Sequence, residues 1–266
     1  MKGVKLNYFL LMQMVFFIHD VYSDANNNVD DKIVMGSIAN ITTAPYTVWV
    51  TAIRGRKQIS CGGCILTRKH VLTAAHCVKG YSQVAVITGL SRKNESLKDI
   101  PWIYGEYVIH NKYGLKNNLD YDAAVITLEK KISYNSKSQP IKIVKADSKF
   151  PVGTNLTVCG YGYIKDDGPS SEYLRCAVLQ LYSDKDCRSQ YKAAHAPTDR
   201  QLCAGTETGV NTCRGDSGGP LVVASTEEVL GLVSGGFYCE KKGALTIITN
   251  LANKEINDFI KKHTSD

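Results

Sequence analysis

The sequence predicts an all-β fold, a sandwich or a barrel, on three observations. Apolar and polar residues alternate in short runs, most cleanly from Tyr46 to Ile53. Glycine and polar residues separate these runs in the manner of turns. Helical periodicity is confined to the C-terminal end, where Leu251, Ile256, Phe259 and Ile260 share one face and Lys261 and Lys262 sit in the last turn. With 266 residues and 44% hydrophobic content, the chain can bury a sizeable core as one or two compact domains.

Taken in chain order, the first element is a leader. Lys2 and Lys5 precede an apolar stretch from Leu6 to Ile18, and Val21-Tyr22-Ser23 follows. This reads as a secretory signal peptide covering residues 1–23. The apolar stretch is too short for a membrane span, which needs about 20 residues. Residues 24–32 form a polar linker ending Val29-Asp30-Asp31-Lys32, directly before apolar Ile33-Val34. Exposed linkers of this kind are cleavage sites.

Strands are then predicted at Tyr46–Ile53, His70–Thr73, Val84–Thr88, Ala123–Leu128, Thr154–Val158, Ala177–Tyr182, Leu221–Ala224, Val229–Val233 and Leu245–Thr249. A short helix fits Asp184–Tyr191. The polar stretch from Ser133 to Lys149 reads as a junction between two groups of strands. The formal charge of +7 is modest for this length, and no basic run is interleaved with aromatics. A nucleic-acid partner is not expected.

Export gives the cysteines an oxidising setting. There are nine, an odd number, so at least one thiol stays free or pairs with another molecule. Cys61-Gly-Gly-Cys64 alone has the spacing of a redox or metal motif, but no βαβ pattern surrounds it. Asn40, Asn94 and Asn155 each begin a glycosylation sequon. Between His76 and Asp122 the carboxylates Glu95, Asp99 and Glu106 are too few for a calcium cage. No metal or cofactor is expected.

Three segments carry chemistry: Leu72-Thr-Ala-Ala-His76-Cys77, Leu119-Asp-Tyr-Asp122-Ala-Ala, and Cys213-Arg-Gly215-Asp216-Ser217-Gly218-Gly219-Pro220. Each alone has a bland reading. His76 fits a core histidine, Asp122 a turn residue, and the glycine-rich segment a tight loop. Together, in the order His, Asp, Ser, they resemble the chymotrypsin and trypsin family of serine peptidases. The similarity runs from Asp30 to the C-terminus and extends to arthropod members, including mite trypsin-like allergens and their inactivated relatives.

The resemblance implies two six-stranded antiparallel Greek-key barrels, at about 33–140 and 141–250, with a C-terminal helix at about 251–262. A serine hydroxyl needs a positioned base to act as a nucleophile at neutral pH. By resemblance Ser217 attacks, His76 moves the proton, and Asp122 fixes the imidazole. The amides of Gly215 and Ser217 form the oxyanion hole. Cleavage after Lys32 frees the Ile33 ammonium to pair with Asp216, so activity is switched on by proteolysis. The implied disulfides are Cys61–Cys77, Cys187–Cys203 and Cys213–Cys239. Cys159 and Cys176 are placed to pair across a hairpin, and Cys64 is the candidate free thiol.

The sequence departs from the family pattern in the substrate cleft. Met35 replaces a glycine of the mature terminus. Asn211, six residues before Ser217, stands where trypsins carry aspartate, with Thr212 beside it. An uncharged floor disfavours Lys and Arg substrates, because a buried cation without a counter-charge is costly. Gly236 and Gly243 are read as open pocket walls. The strand Ser234-Gly235-Gly236 has glycine where tryptophan is usual. Arg214 is placed at the rim, either solvated or favouring acidic residues beyond the cut.

The expected activity is therefore that of a secreted, monomeric serine endopeptidase. Its partners are a protein or peptide substrate, an activating protease and serine protease inhibitors. The alternative is a weak or inactive paralogue that works by binding. A third reading, polyanion binding through Lys130-Lys131, Lys241-Lys242 and Lys261-Lys262, competes with simple solvation of these pairs.

Overall fold

A computed structural model of the chain describes residues 36–93, 102–117, 119–191 and 196–265. The leader, the linker, Met35 and the Asn94 sequon lie outside these residues. The first barrel consists of β2 (Thr47–Arg54), β3 (Lys57–Ile65), β4 (His70–Thr73), β5 (Gln83–Thr88), β6 (Ile103–Ile109) and β7 (Ala124–Leu128), closed in the order β2-β3-β4-β7-β6-β5. Period-two alternation on β2 turns Val48, Val50 and Ala52 into its interior.

The second barrel contains β9 (Asn155–Gly160), β10 (Arg175–Leu181), β11 (Gln201–Gly205), β12 (Pro220–Val223), β13 (Glu228–Gly235) and β14 (Leu245–Asn250). Its antiparallel ring runs β9-β10-β11-β14-β13-β12 and closes through the β12–β9 pairing. Two short strands attach to this sheet: β8 (Lys142–Ile143), parallel to β13, and β1 (Ser37–Ile38), antiparallel to β10. The first described strand thus belongs to the second barrel, although it lies within the 33–140 range expected for the first. Strand β1 reaches across because β10 offers it an open edge at Arg175 and Cys176.

Both barrels fall within one compact unit. A single apolar cluster runs from Leu72, Ala123 and Val125 of the first barrel to Leu221, Leu232 and Ile248 of the second. The Ser133–Lys149 stretch spans them: Ile141 N–H donates to the Ile65 carbonyl and Val144 N–H to the Val229 carbonyl, at 2.9 and 3.1 Å.

Among the described residues three α-helices accompany the barrels: α1 (Ala75–Val78), α2 (Asp184–Gln190) and α3 (Lys254–Lys262). Asn253 caps α3, its Oδ1 accepting from the amides of Glu255 and Ile256. Helix α3 buries Ile256 and Ile260 and ends on Lys261 and Lys262. No helix among the described residues is long and apolar enough to cross a membrane.

Candidate active site

Strand β4 ends at Thr73, and the chain turns through extended Ala74 into α1, which places His76 on a four-residue helix. Asp122 lies just before β7 and is fully buried. Its carboxylate is held from several sides. Oδ1 accepts the His76 backbone N–H at 2.9 Å, and Oδ2 lies 2.7 Å from His76 Nδ1. The Ser234 hydroxyl, from β13 of the other barrel, donates to Oδ2 at 2.6 Å. Thr249 of β14 donates its hydroxyl to the Asp122 carbonyl at 2.9 Å. Burial works to lower the His76 pKa, but the charge and hydrogen bond of Asp122 together raise it above its ordinary value.

The residues before Asp122 are held as firmly. Tyr121 has φ +53°, a left-handed conformation unusual for an aromatic residue. Buried Asp120 accepts from Arg200 Nε and Nη2 in a bidentate pair, both at 3.0 Å, and from Thr198 Oγ1 at 2.8 Å. The Arg200 guanidinium also lies 4.9 Å from the Tyr121 ring centre. Sequence reading missed Asp120 and Arg200, which lie 80 residues apart and carry no local signal of pairing.

The Cys213–Pro220 segment packs against β3 and β4. Ser217 O accepts the Gly62 N–H at 2.7 Å. A Cβ on Gly218, which has φ +79°, would lie 2.2 Å from Thr73 Oγ1, so only glycine permits this approach. Gly215 adopts φ +91°. Tyr163 N–H donates to the Arg214 carbonyl at 2.8 Å, which aims the Gly215 N–H the opposite way across the trans peptide. Among the described residues, neither the Gly215 nor the Ser217 N–H finds a protein acceptor. No hydrogen bond joins the Ser217 hydroxyl to the His76 ring among these residues; such bonds commonly tighten only with substrate bound. The ring Nε2 lies 3.7 Å from Cys77 Sγ, and that sulfur lies 3.6 Å from Ser217 O.

Asp216 points away from solvent. Its two oxygens accept the N–H groups of Gly162 and Cys213, at 2.9 and 3.0 Å. Burial pushes its pKa up to about 6, although both amides and the Lys93 ammonium act to lower it. Lys32 and Ile33, the other expected activation residues, lie outside the described residues.

Four disulfides join Cys61–Cys77, Cys159–Cys176, Cys187–Cys203 and Cys213–Cys239. Cys159 and Cys176 face each other in register on β9 and β10. Cys64 is a free, buried thiol on β3, and burial raises its pKa. The Cys61-Gly-Gly-Cys64 run is therefore barrel strand. Among the described residues two clusters group metal-type ligands, Cys61 with His76 and Cys77, and Cys213 with Cys239 and Asp166. Their sulfurs are spent in disulfides and offer no thiolate.

A cavity of about 180 Å³ opens beside Ser217, lined among others by Thr212, Arg214 and Gly236. Asn211 does not line it. The Asn211 amide is saturated: Nδ2 donates to the carbonyls of Ala244 and Tyr238, and Oδ1 accepts from Thr212 N–H and Thr246 Oγ1. Gly243 does not line it either, but faces an outer groove with Lys241 and Lys242. The Asn211 side chain meets the carbonyl of buried Ala244 instead. Asp166 also lines the cavity, its carboxylate accepting the Cys239 N–H at 3.2 Å. The cavity is thus not free of charge, since a carboxylate stands in its wall. Arg214, 67% exposed, lies 3.8 Å from Asp167.

Comparison with known proteins agrees with this architecture. A family model described as Trypsin matches residues 33–260. Trypsin 5G1 of Aedes aegypti is 32% identical over 233 residues, covering 87% of this chain and 84% of that protein. A vitellin-degrading protease of Bombyx mori is 31% identical over 245 residues, covering 88% of this chain and 89% of that protein. Two six-stranded barrels and these similarities lead to one assignment: the chain belongs to the trypsin family of chymotrypsin-type serine peptidases.

Proposed function

We propose that the chain is a secreted serine endopeptidase, activated by cleavage after Lys32, that hydrolyses peptide bonds through an acyl-enzyme on Ser217. The observation that carries this reading is the buried Asp122 carboxylate, shared by His76 and Ser234, beside two amide N–H groups that find no protein acceptor among the described residues. A hydrogen bond from Nδ1–H to Asp122 leaves His76 Nε2 as the base.

The chemistry follows from these groups. Ser217 Oγ bonds to the scissile carbonyl carbon as its proton passes to His76 Nε2. The carbonyl oxygen takes the charge and faces the amides of Gly215 and Ser217. The carbon–nitrogen bond then breaks, and His76 returns the proton to the leaving amine. Water, deprotonated by His76, attacks the ester and frees Ser217.

Activation rests on Asp216. A carboxylate with two amide donors and, among the described residues, no ion pair of its own is poised for an incoming ammonium, here that of Ile33. The charged, apolar and polar order of residues 1–23 supports export. The cavity beside Ser217 favours weak selection at the residue before the cut, because Asn211 has no hydrogen-bonding capacity left for it. The same small cavity supports the second reading, a paralogue of low activity that acts by binding.

The test is hydrolysis of a peptide library by protein cleaved after Lys32, alongside uncleaved protein and the Ser217→Ala variant. Hydrolysis by the cleaved wild type alone supports the endopeptidase. Equal, absent turnover in all three favours the binding paralogue.

A further inference from the structure

One short run after β9, Tyr161-Gly162-Tyr163, holds the main chain on both sides of Gly215. Gly162 N–H donates to Asp216 Oδ1 at 2.9 Å, and Tyr163 N–H to the Arg214 carbonyl at 2.8 Å. Lys93 holds this run from outside. Its Nζ donates to the Tyr161 carbonyl at 2.9 Å and to Ser170 Oγ at 3.1 Å, tying together the two arms of the loop between them. The Tyr161 carbonyl and the Gly162 N–H belong to one trans peptide and point opposite ways. An ammonium therefore stands at one end of this peptide dipole and the Asp216 carboxylate at the other. Each polarises the amide in the sense that strengthens the other's hydrogen bond. Lys93 is half-buried, its ammonium 5.1 Å from the Trp49 ring centre and 5.9 Å from that of Tyr161. Its backbone N–H donates to the Glu172 carbonyl, while the Glu172 carboxylate pairs with Arg92 at 3.1 Å. A Cβ on Gly162 would lie 2.5 Å from Asp216 Cγ, so the carboxylate packs directly on the bridging peptide. Arg214, in the same segment as Asp216, turns outward to Asp167.

We propose that Lys93 is a positioning residue for the oxyanion hole: through the Tyr161–Gly162 peptide it seats the Asp216 carboxylate in its ionised form, and through Tyr163 it keeps the Arg214–Gly215 peptide turned so that the Gly215 N–H faces the substrate carbonyl. The inference rests on the endopeptidase reading of Ser217 and adds to it a group that touches neither substrate nor the His76–Asp122 pair. Charge supports what the hydrogen bonds show. Burial raises the Asp216 pKa and lowers that of Lys93, and each charge opposes that effect on the other. Asp216 must be ionised to receive the Ile33 ammonium, so Lys93 favours the form that activation needs. No ion pair joins the two among the described residues; the lysine acts across the peptide and does not take the place of the new terminus.

The experiment compares the wild type with three variants. Lys93→Gln keeps a donor for the Tyr161 carbonyl and removes the charge, Lys93→Arg keeps the charge, and Ser170→Ala loosens the loop alone. In the uncleaved chains the Asp216 carboxyl is titrated by carbon NMR, its signal assigned with Asp216→Asn. The midpoint in Lys93→Gln is expected roughly half a unit to one unit above the wild type, since a nearby cation has been lost. Lys93→Arg and Ser170→Ala should stay close to the wild type. After cleavage at Lys32, Lys93→Gln is expected to lose roughly three- to tenfold in kcat on a peptide substrate with KM near unchanged, as for an interaction felt in the transition state. Lys93→Arg should recover most of that loss. An unshifted midpoint in Lys93→Gln, or an equal shift in Ser170→Ala, overturns the inference and leaves Lys93 a loop staple. A shifted midpoint with kcat unchanged overturns the positioning role as well. The titration needs no peptidase activity. Absent turnover in every cleaved protein, wild type included, sinks the endopeptidase reading, and the midpoint still decides whether Lys93 acts on Asp216.

Discussion

Ser234 Oγ and His76 Nδ1 meet the same oxygen of Asp122, Oδ2, at 2.6 and 2.7 Å. Two barrels thus share one carboxylate oxygen, the serine coming from β13 and the histidine from the helix after β4. The Asp122 charge is divided between a neutral donor and the imidazole. Ser234→Ala is expected to lower kcat by about tenfold, the scale of a lost hydrogen bond to a charged group. It also leaves more of the negative charge to His76, so the acid limb of the pH–rate profile should move to higher pH. A kcat loss with no change in the profile would count against charge sharing.

His76 must be neutral to act as a base. Its pKa is raised in the folded protein, burial opposing and Asp122 prevailing. Activity should therefore fall as pH drops through a midpoint above the ordinary histidine value of about 6.5. For stability the sign is separate: a raised pKa contributes stability below the unfolded value, and this is lost as pH rises through the folded value. Asp122→Asn should remove the limb's dependence on the carboxylate and reduce kcat by about four orders of magnitude, the general scale for such triads. Initial rates between pH 5 and 9 measure both effects.

Asp216 gives the uncleaved chain its own pH signature. Its pKa rises from the usual carboxylate range to about 6 because ionisation is unfavourable in a buried site. Stability linked to this group is full below the unfolded pKa and is lost as pH rises towards and through about 6. The loss is about 2–3 kcal/mol by pH 8. Cleavage after Lys32 supplies a counter-charge, so the cleaved protein should lose less over the same range. Urea denaturation of both forms at pH 4 and pH 8 makes the comparison. Equal slopes would argue that the new terminus does not reach Asp216.

Much of the fold was legible because alternation survives on strands with one buried face. The β2 and β14 segments read correctly to within a residue or two. Strand β3 did not, since its first half is exposed and its second half carries Gly62 and Gly63 in place of apolar residues. Those glycines serve close packing: a Cβ on Gly62 would stand 2.9 Å from Gly219 Cα. At the site, His76, Asp122 and Ser217 were visible in local motifs. Asp166, Ala244 and Thr246 were not, because their approach to the substrate cavity or to Asn211 depends on loops and strands distant in sequence. The Arg200 partner of Asp120 was hidden for the same reason.

That ion pair yields its own expectation. Asp120 is fully buried and Arg200 half-buried, and their bidentate contact lies beside the left-handed Tyr121 next to Asp122. Asp120→Ala takes the bidentate partner from Arg200, which keeps Asp199, and should destabilise the protein by about 1–3 kcal/mol. Replacing both, as Asp120→Ala with Arg200→Leu, should recover part of the stability. Thermal unfolding of the two variants separates the pair's charge from its packing.

The central claim concerns Ser217, and its most direct measurement is covalent. Protein cleaved after Lys32 is treated with a sulfonyl fluoride and mapped by mass spectrometry. The account predicts one stoichiometric adduct on Ser217, abolished by His76→Ala and absent from the uncleaved chain. A folded, cleaved protein that takes up no label would contradict it and leave a binding protein on a peptidase frame.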